Sequence, residues 1–295
     1  MAHRLMWRAG GLAVLVLTAI GAARPLAAQA SIVAQFTPTP GVRLHTLVTT
    51  EGTAIIAERG APQGSGISLQ FRRREALTAR ALSHEAGGVV VEVTHDSVSA
   101  RARPAGGLWI AVEAEAVPAA TARALIDRQL SVQAVLEGTL RTGLVGTFDM
   151  VLPSGPIAVG SRWASDVGFP LHGVSTVRAE LGLDDQVRID RRLLAQSDVV
   201  LDSLVARGTD TLAYLTVSGA VTPRTMAGRE PATGGVAVSG AVGGSMIWST
   251  GWGTFVSGGL RSIVVLGLGG GAVGQGQSVP LEVRIDATTQ FQLRP

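Results

Sequence analysis

Alternation of apolar and polar residues at every second position, broken at short intervals by Gly, Pro or Asp, constrains this chain more than any other feature. In residues 107–117, GLWIAVEAEAV, Trp109, Ala111, Glu113 and Glu115 fall on one side, and Ile110, Val112, Ala114 and Ala116 on the other. A period of two belongs to a strand whose apolar side turns to a core. Residues 77–102 repeat the device around a hairpin loop at Glu85–Gly88, and residues 174–190 do so around Leu183-Asp184-Asp185-Gln186. The pattern predicts a mainly β protein of curved antiparallel sheets, either a half-barrel or a two-lobed meander.

One stretch departs from this rhythm. In residues 117–133, VPAATARALIDRQLSVQ, Pro118 suits a first helical turn, and Ala122, Leu125, Ile126 and Leu130 recur at helical spacing. This predicts one short amphipathic helix over 118–132, covering a sheet face or edge. A loose echo between PTPGVRLHTLV (38–48) and GPIAVGSRWASDV (155–167) points to two β lobes, 31–150 and 151–295.

The first thirty residues read as a secretory signal peptide: Arg4 and Arg8, a short apolar run from Gly11 to Ala22, and Ala28-Gln29-Ala30 as an A-x-A site. Cleavage is expected between Ala30 and Ser31. The apolar run is shorter than the roughly 20 residues that span a bilayer, and no later segment reaches that length. After cleavage no transmembrane helix is expected, and the protein is expected in the periplasm or cell envelope, or secreted. The chain has no cysteine. Disulfides, thiolate chemistry and cysteine-ligated zinc are thereby excluded. An exported chain of about 265 mature residues must then hold together by its core, and chains of this size bury roughly 70–75% of their unfolded surface.

An isoelectric point near 10.7 invites a nucleic-acid reading, which the charges remove. All 25 basic residues are arginine, three of them in the leader, and the rest face 22 Asp and Glu. The mature chain is formally neutral, so no nucleic-acid partner is expected.

Motifs for chemistry are scarce. Gly269, Gly271 and Gly274 satisfy G-x-G-x-x-G, but the sequence on both sides reads as strand and no helix opens after the third glycine. The run is expected to connect two antiparallel strands. A Walker loop is impossible without lysine, and neither H-E-x-x-H nor G-x-S-x-G occurs. His95-Asp96-Ser97 holds the residue types of a triad, yet in a strand His95 and Ser97 point away from Asp96. With the loop at 85–88, His84 is expected opposite Val89 and His95 opposite Thr78, too far apart to share a metal. His45 and His172 stand alone, and Asp184-Asp185 suits a solvated hairpin tip. Arg72-Arg73-Arg74 offers an anion at most two converging guanidiniums; the plainer expectation is a solvated sheet edge. No catalytic residue, metal site or cofactor is expected, and the protein is expected not to be an enzyme.

The aromatic residues remain. The mature tryptophans are Trp109, Trp163, Trp248 and Trp252, and in SMIWSTGWGTF an unbulged strand would set Trp248, Thr250 and Trp252 on one face. Such a stripe either plugs the core or lines an apolar groove, so these four are the candidate ligand-binding residues.

At residues 152–171, LPSGPIAVGSRWASDVGFPL, the Pro…Val-Gly-x-x-Trp pattern resembles a group of exported β-rich bacterial proteins that share a domain of unknown function. The later GGVAVSGAVGGSMIWSTGWGTFVSGGLRSIVVLG and the terminal VPLEVRIDATTQFQL extend the likeness over the second half. Ile247-Trp248 stands where that group would carry a Phe/Tyr-Asp pair. The outline is also similar to periplasmic lipoprotein-carrier and lipid-binding half-barrels. The resemblance implies a β-rich envelope protein. The expected function is binding of a hydrophobic or lipid-like small molecule, with a structural or protein-interaction role in the envelope as the alternative; 4% aromatic residues speak against an outer-membrane barrel.

Overall fold

The computed structural model describes residues 31–62, 64–111, 121–138, 150–170, 192–222, 237–272 and 278–294. The leader, including Ala30, lies outside them, as do His172, Asp184-Asp185 with their hairpin, and Gly274. The strands are β1 (Ser31–Ile32), β2 (Arg43–Glu58), β3 (Ile67–Glu85), β4 (Gly88–Pro104), β5 (Ile110–Ala111), β6 (Thr121–Ile126) and β7 (Val132–Glu137) in the first part of the chain. The second part supplies β8 (Ile157–Ala158), β9 (Arg162–Pro170), β10 (Arg192–Arg207), β11 (Asp210–Thr222), β12 (Ala237–Ser249), β13 (Thr254–Ala272) and β14 (Ser278–Arg294).

The protein is mainly β, antiparallel and curved, as the alternation requires. One sheet runs in the order β7-β6-β4-β3-β2-β14-β13-β12-β11-β10-β9, with β5 beside β4. It is a meander whose first long strand pairs with its last: β2 meets β14 from His45↔Arg294 to Glu58↔Leu281. Among the described residues no ladder joins β7 to β9. Within this sheet β2–β7 therefore lie on one side of the β2–β14 join and β9–β14 on the other, while β1 and β8 form a separate two-stranded sheet.

Side-chain alternation decides which face is core. On β2, Leu44, Thr46, Val48, Thr50, Ala54 and Ile56 are buried, and on β14 Val283, Ile285, Ala287, Thr289, Phe291 and Leu293. Their neighbours Arg43, Glu51, Arg284, Gln290 and Gln292 face water. The inward residues of all the long strands merge in one cluster, so the sheet curls around its own apolar face. A lipid-facing barrel band would need the reverse arrangement. Two polar pairs sit on the inner face: Thr50 and Thr289 share a 3.0 Å hydroxyl contact across the join, and Arg73 forms an ion pair with buried Glu75. Room for bulky side chains comes from glycines, since a Cβ at Gly52 would lie 2.5 Å from the Phe71 ring.

One end of the sheet is closed by the chain's own N-terminal segment. Phe36 N–H donates to Arg128 O at 2.8 Å, Gly41 N–H donates to Ala81 O at 2.8 Å, and His84 Nε2 lies 3.2 Å from Pro38 O. β1 pairs with β8 just ahead of β9. Ala34 and Phe36 are buried by this crossing.

Three expectations need correction. The helix over 118–132 is not present: β6, a turn and β7 occupy Thr121–Glu137. The period over β6 is two, with Ala122, Ala124 and Ile126 buried and Thr121 and Arg123 exposed, and pairing with Val89–Thr94 of β4 overrides helix-forming alanines. Asp127 Oδ1 accepts from Gln129 N–H at 2.9 Å and Ser131 N–H at 2.8 Å, which holds the turn that the helix would have run through. His95 faces Leu77 rather than Thr78, because a bulge at Ala81/Ser83 shifts the register after the expected His84↔Val89 pair. It is buried. The arginine triplet lies on β3, flanked by β2 and β4, and not at a sheet edge. The Glu85–Gly88 hairpin is as expected; Gly88 has φ +148°, and a Cβ there would strike Ile126 O. Of the final glycine run, Gly269 and Gly271 fall within β13, which pairs antiparallel with β14 through Gly271↔Val279.

Candidate functional site

The four candidate tryptophans are scattered. Trp248 is 1% exposed and meets Phe255 edge to face, centroids 4.9 Å apart at 87°, a core contact. Trp252 does not share its face: β12 ends at Ser249, and Trp252 sits in the β12–β13 turn. Asp210 enforces that ending by accepting from Ser249 Oγ at 2.5 Å, Thr250 Oγ1 at 3.2 Å and Gly251 N–H at 2.6 Å. Burial works to raise the Asp210 pKa, but hydrogen bonds from Ser249, Gly251, Thr250 and Thr211 leave it below the ordinary carboxylate value. Trp163 on β9 donates its indole N–H to Val151 O at 3.3 Å and packs half-buried against the core.

Trp109 is different. It lies on the outer face beside β4, 37% exposed, with the Arg103 guanidinium 4.7 Å and that of Arg72 5.8 Å from its ring centroid. The turn before it is tightly held: Ala105 N–H donates to Ser68 O and Gly107 N–H to Pro104 O, both at 3.0 Å, and Gly106 supplies the left-handed φ of +75°. β5 then returns along β4 through Ala111↔Arg101 and Ile110↔Ala102. Of the strand read at 107–117, only residues to 111 are described, and Ile110 is exposed rather than buried.

Strand register gathers arginines beneath this tryptophan. Arg72 and Arg74 project outward from β3, Arg101 and Arg103 from β4, with Arg72 directly opposite Arg101 and Arg74 opposite Ser99. Like charges directly opposed weaken a strand pair; two unit charges about 6 Å apart in water repel by roughly 0.7 kcal/mol. Arg72 Nε reaches Glu51 at 2.8 Å, and Arg103 Nε donates to Gln70 Oε1 at 2.8 Å. Among the described residues Arg74 and Arg101 make no ion pair. Arg72, Arg103 and Glu51 line, with Trp109, a shallow basin of about 720 Å³ that extends over β2 and β14, while Arg74 and Arg101 line a smaller cleft of about 190 Å³ that shares Arg72 and Trp109 with it. On the far side of the basin Arg261 and Arg284 face Asp286. There Arg261 binds Asp286 through two contacts of 2.9 and 2.7 Å, and Asp286 is held below its ordinary pKa by that hydrogen bond first, then by the charges of Arg261 and Arg284.

No catalytic constellation accompanies this basin among the described residues. Thr78 donates its hydroxyl proton to Asp96 at 2.6 Å, so His45 Nδ1, 2.9 Å from the same oxygen, must act as donor and cannot activate it. His95 is buried one strand residue away from that ladder, and Asp96 is the bulged residue that separates it from Ser97 in the pairing. No group of three His, Asp or Glu positioned for a metal occurs among the described residues. Leu108, Arg101 and Arg103 were not among the sequence candidates; their signal is the paired Arg-x-Arg spacing at 72/74 and 101/103, which a strand places on one face.

Comparison with protein-family models and with curated proteins returns no match. Among solved structures, an outer membrane channel from Pseudomonas putida F1 is similar at 10% identity, with 88% of this chain and 97% of that one covered and a TM-score of 0.24. A likeness at that score carries no argument about fold or activity.

Proposed function

We propose that the protein is an exported binding protein of the cell envelope, working without covalent chemistry, that recognises an amphipathic lipid-like ligand with an anionic head. The leader-like N-terminus supports export. One observation carries the binding reading: an exposed Trp109 shared by two clefts whose lining sets Arg72, Arg74, Arg101, Arg103, Arg261 and Arg284 against Glu51 and Asp286. The indole offers an apolar face to the ligand body, and the arginines offer forked donors to a phosphate or carboxylate head. An anion there also relieves the Arg72–Arg101 opposition. The reading needs no cofactor.

The test is native mass spectrometry of exported protein with short-chain phosphatidylglycerol below its micelle concentration, and with the phosphatidylcholine analogue. The expected result is a one-to-one adduct with the anionic lipid, weakened at least tenfold by Trp109→Ala and unchanged by Trp252→Ala. No adduct, or an adduct indifferent to Trp109→Ala, overturns the reading.

A second reading, an interaction module pairing through a sheet edge, draws on β7, whose residues Val132, Val135 and Leu136 are exposed on the terminal strand of the sheet order. Co-purification of a stoichiometric protein partner, lost on Val135→Asp, would favour it.

A further inference from the structure

Resting on the lipid-head reading, we infer that this patch docks the protein on the surface of an intact anionic bilayer, where the same arginines meet lipid heads whose chains stay in the leaflet. Leu108, Trp109 and Ile110 are consecutive and exposed, at 86%, 37% and 55%. Runs of three exposed apolar residues in a soluble surface are otherwise a liability. These three sit on a turn pinned to β3 and β4 by backbone hydrogen bonds, so little ordering is needed when they meet a partner. Ile55, also exposed, lines the same basin.

The surroundings choose the occupant. A single lipid needs somewhere to put its chains, but the basin is open and shallow, and the inner-face residues behind it, Ala54, Leu69, Phe71 and Ala102, are buried against one another in the core. A bilayer supplies the apolar phase itself. Trp at the headgroup level, flanking aliphatic side chains and a collar of Arg72, Arg74, Arg101 and Arg103 make the combination that binds an anionic interface by apolar insertion and charge together.

The experiment is vesicle co-sedimentation of the full exported protein with phosphatidylcholine vesicles containing 0 or about 30% phosphatidylglycerol, at low and high salt. Expected are binding to the anionic vesicles at least tenfold tighter than to the neutral ones, weakening at high salt, a loss of tenfold or more in Leu108→Asp, and a loss of roughly fivefold in each of Arg74→Gln and Arg101→Gln. These side chains are exposed, so the variants should melt as the wild type does. A soluble-lipid adduct at Trp109 without vesicle binding overturns the docking inference and leaves the binding reading standing; absence of both removes both. Vesicle binding indifferent to Leu108→Asp, or equal on neutral and anionic vesicles, also overturns it.

Discussion

Trp248 and Trp109 occupy opposite situations in the same sheet. Trp248 points inward from β12, is closed over by Phe255, and its strand is terminated two residues beyond the ring by the Asp210 cluster. Trp109 lies outside β4 with guanidiniums against one face. The first is held by packing and contributes stability; the second is held by a backbone turn and keeps part of its ring exposed. The same residue type thus marks a core plug in one half of the chain and a partly exposed surface position in the other, and burial separates them.

The comparison breaks first at Trp248. Trp248→Ala is expected to cost about 3–5 kcal/mol in urea unfolding; a loss under about 1 kcal/mol would mean that Trp248 is not a core anchor. Its indole N–H finds no acceptor among the described residues, so Trp248→Phe should cost less than half as much, since it removes a donor that burial leaves unsatisfied. Next comes Asp210→Ala, which removes the acceptor of Ser249, Thr250 and Gly251 and should cost about 2 kcal/mol. The sign of its pH dependence follows from the lowered folded-state pKa: the stabilisation is present above the unfolded value of about 3.9 and is lost as pH falls below it toward the folded value. Acid unfolding of Asp210→Ala should therefore show a smaller stability loss between about pH 4 and 2 than the wild type. The smallest expected change in stability is that of Trp109→Ala, within about 1 kcal/mol. A larger loss would move Trp109 into the same class as Trp248 and undo the contrast.

Much of this was legible before the structure. The alternation foretold the sheet, and the Glu85–Gly88 turn, read with no bulge, already sets Arg72 opposite Arg101; the two bulges of β3–β4, at Ala81/Ser83 and Ala76/Leu77, cancel before that point. What could not be read locally was the bulge count between them, which decides that His95 is inside. Nor could spacing alone separate strand from helix over 121–126, where alanine and leucine suit both and pairing with β4 decides. Trp252 was misplaced for a related reason. The residue that ends its strand, Asp210, lies 39 positions from Ser249 in sequence.

The pairing of β2 with β14 has a further consequence, in time rather than space. Thr50 and Thr289 are separated by 239 positions, and closing a loop of that length costs on the order of 5 kcal/mol before any ladder bond compensates it. During synthesis, β2 emerges early and waits with one ladder edge open until the last strand arrives. The neighbouring hairpins can form locally and quickly; this seam cannot. A chain shortened before β14 would keep most of its hairpins and lose the strand that joins them, presenting the apolar-flanked edges of β2 and β13 to other copies. The seam that unifies the folded sheet is also where an unfinished molecule would begin to aggregate.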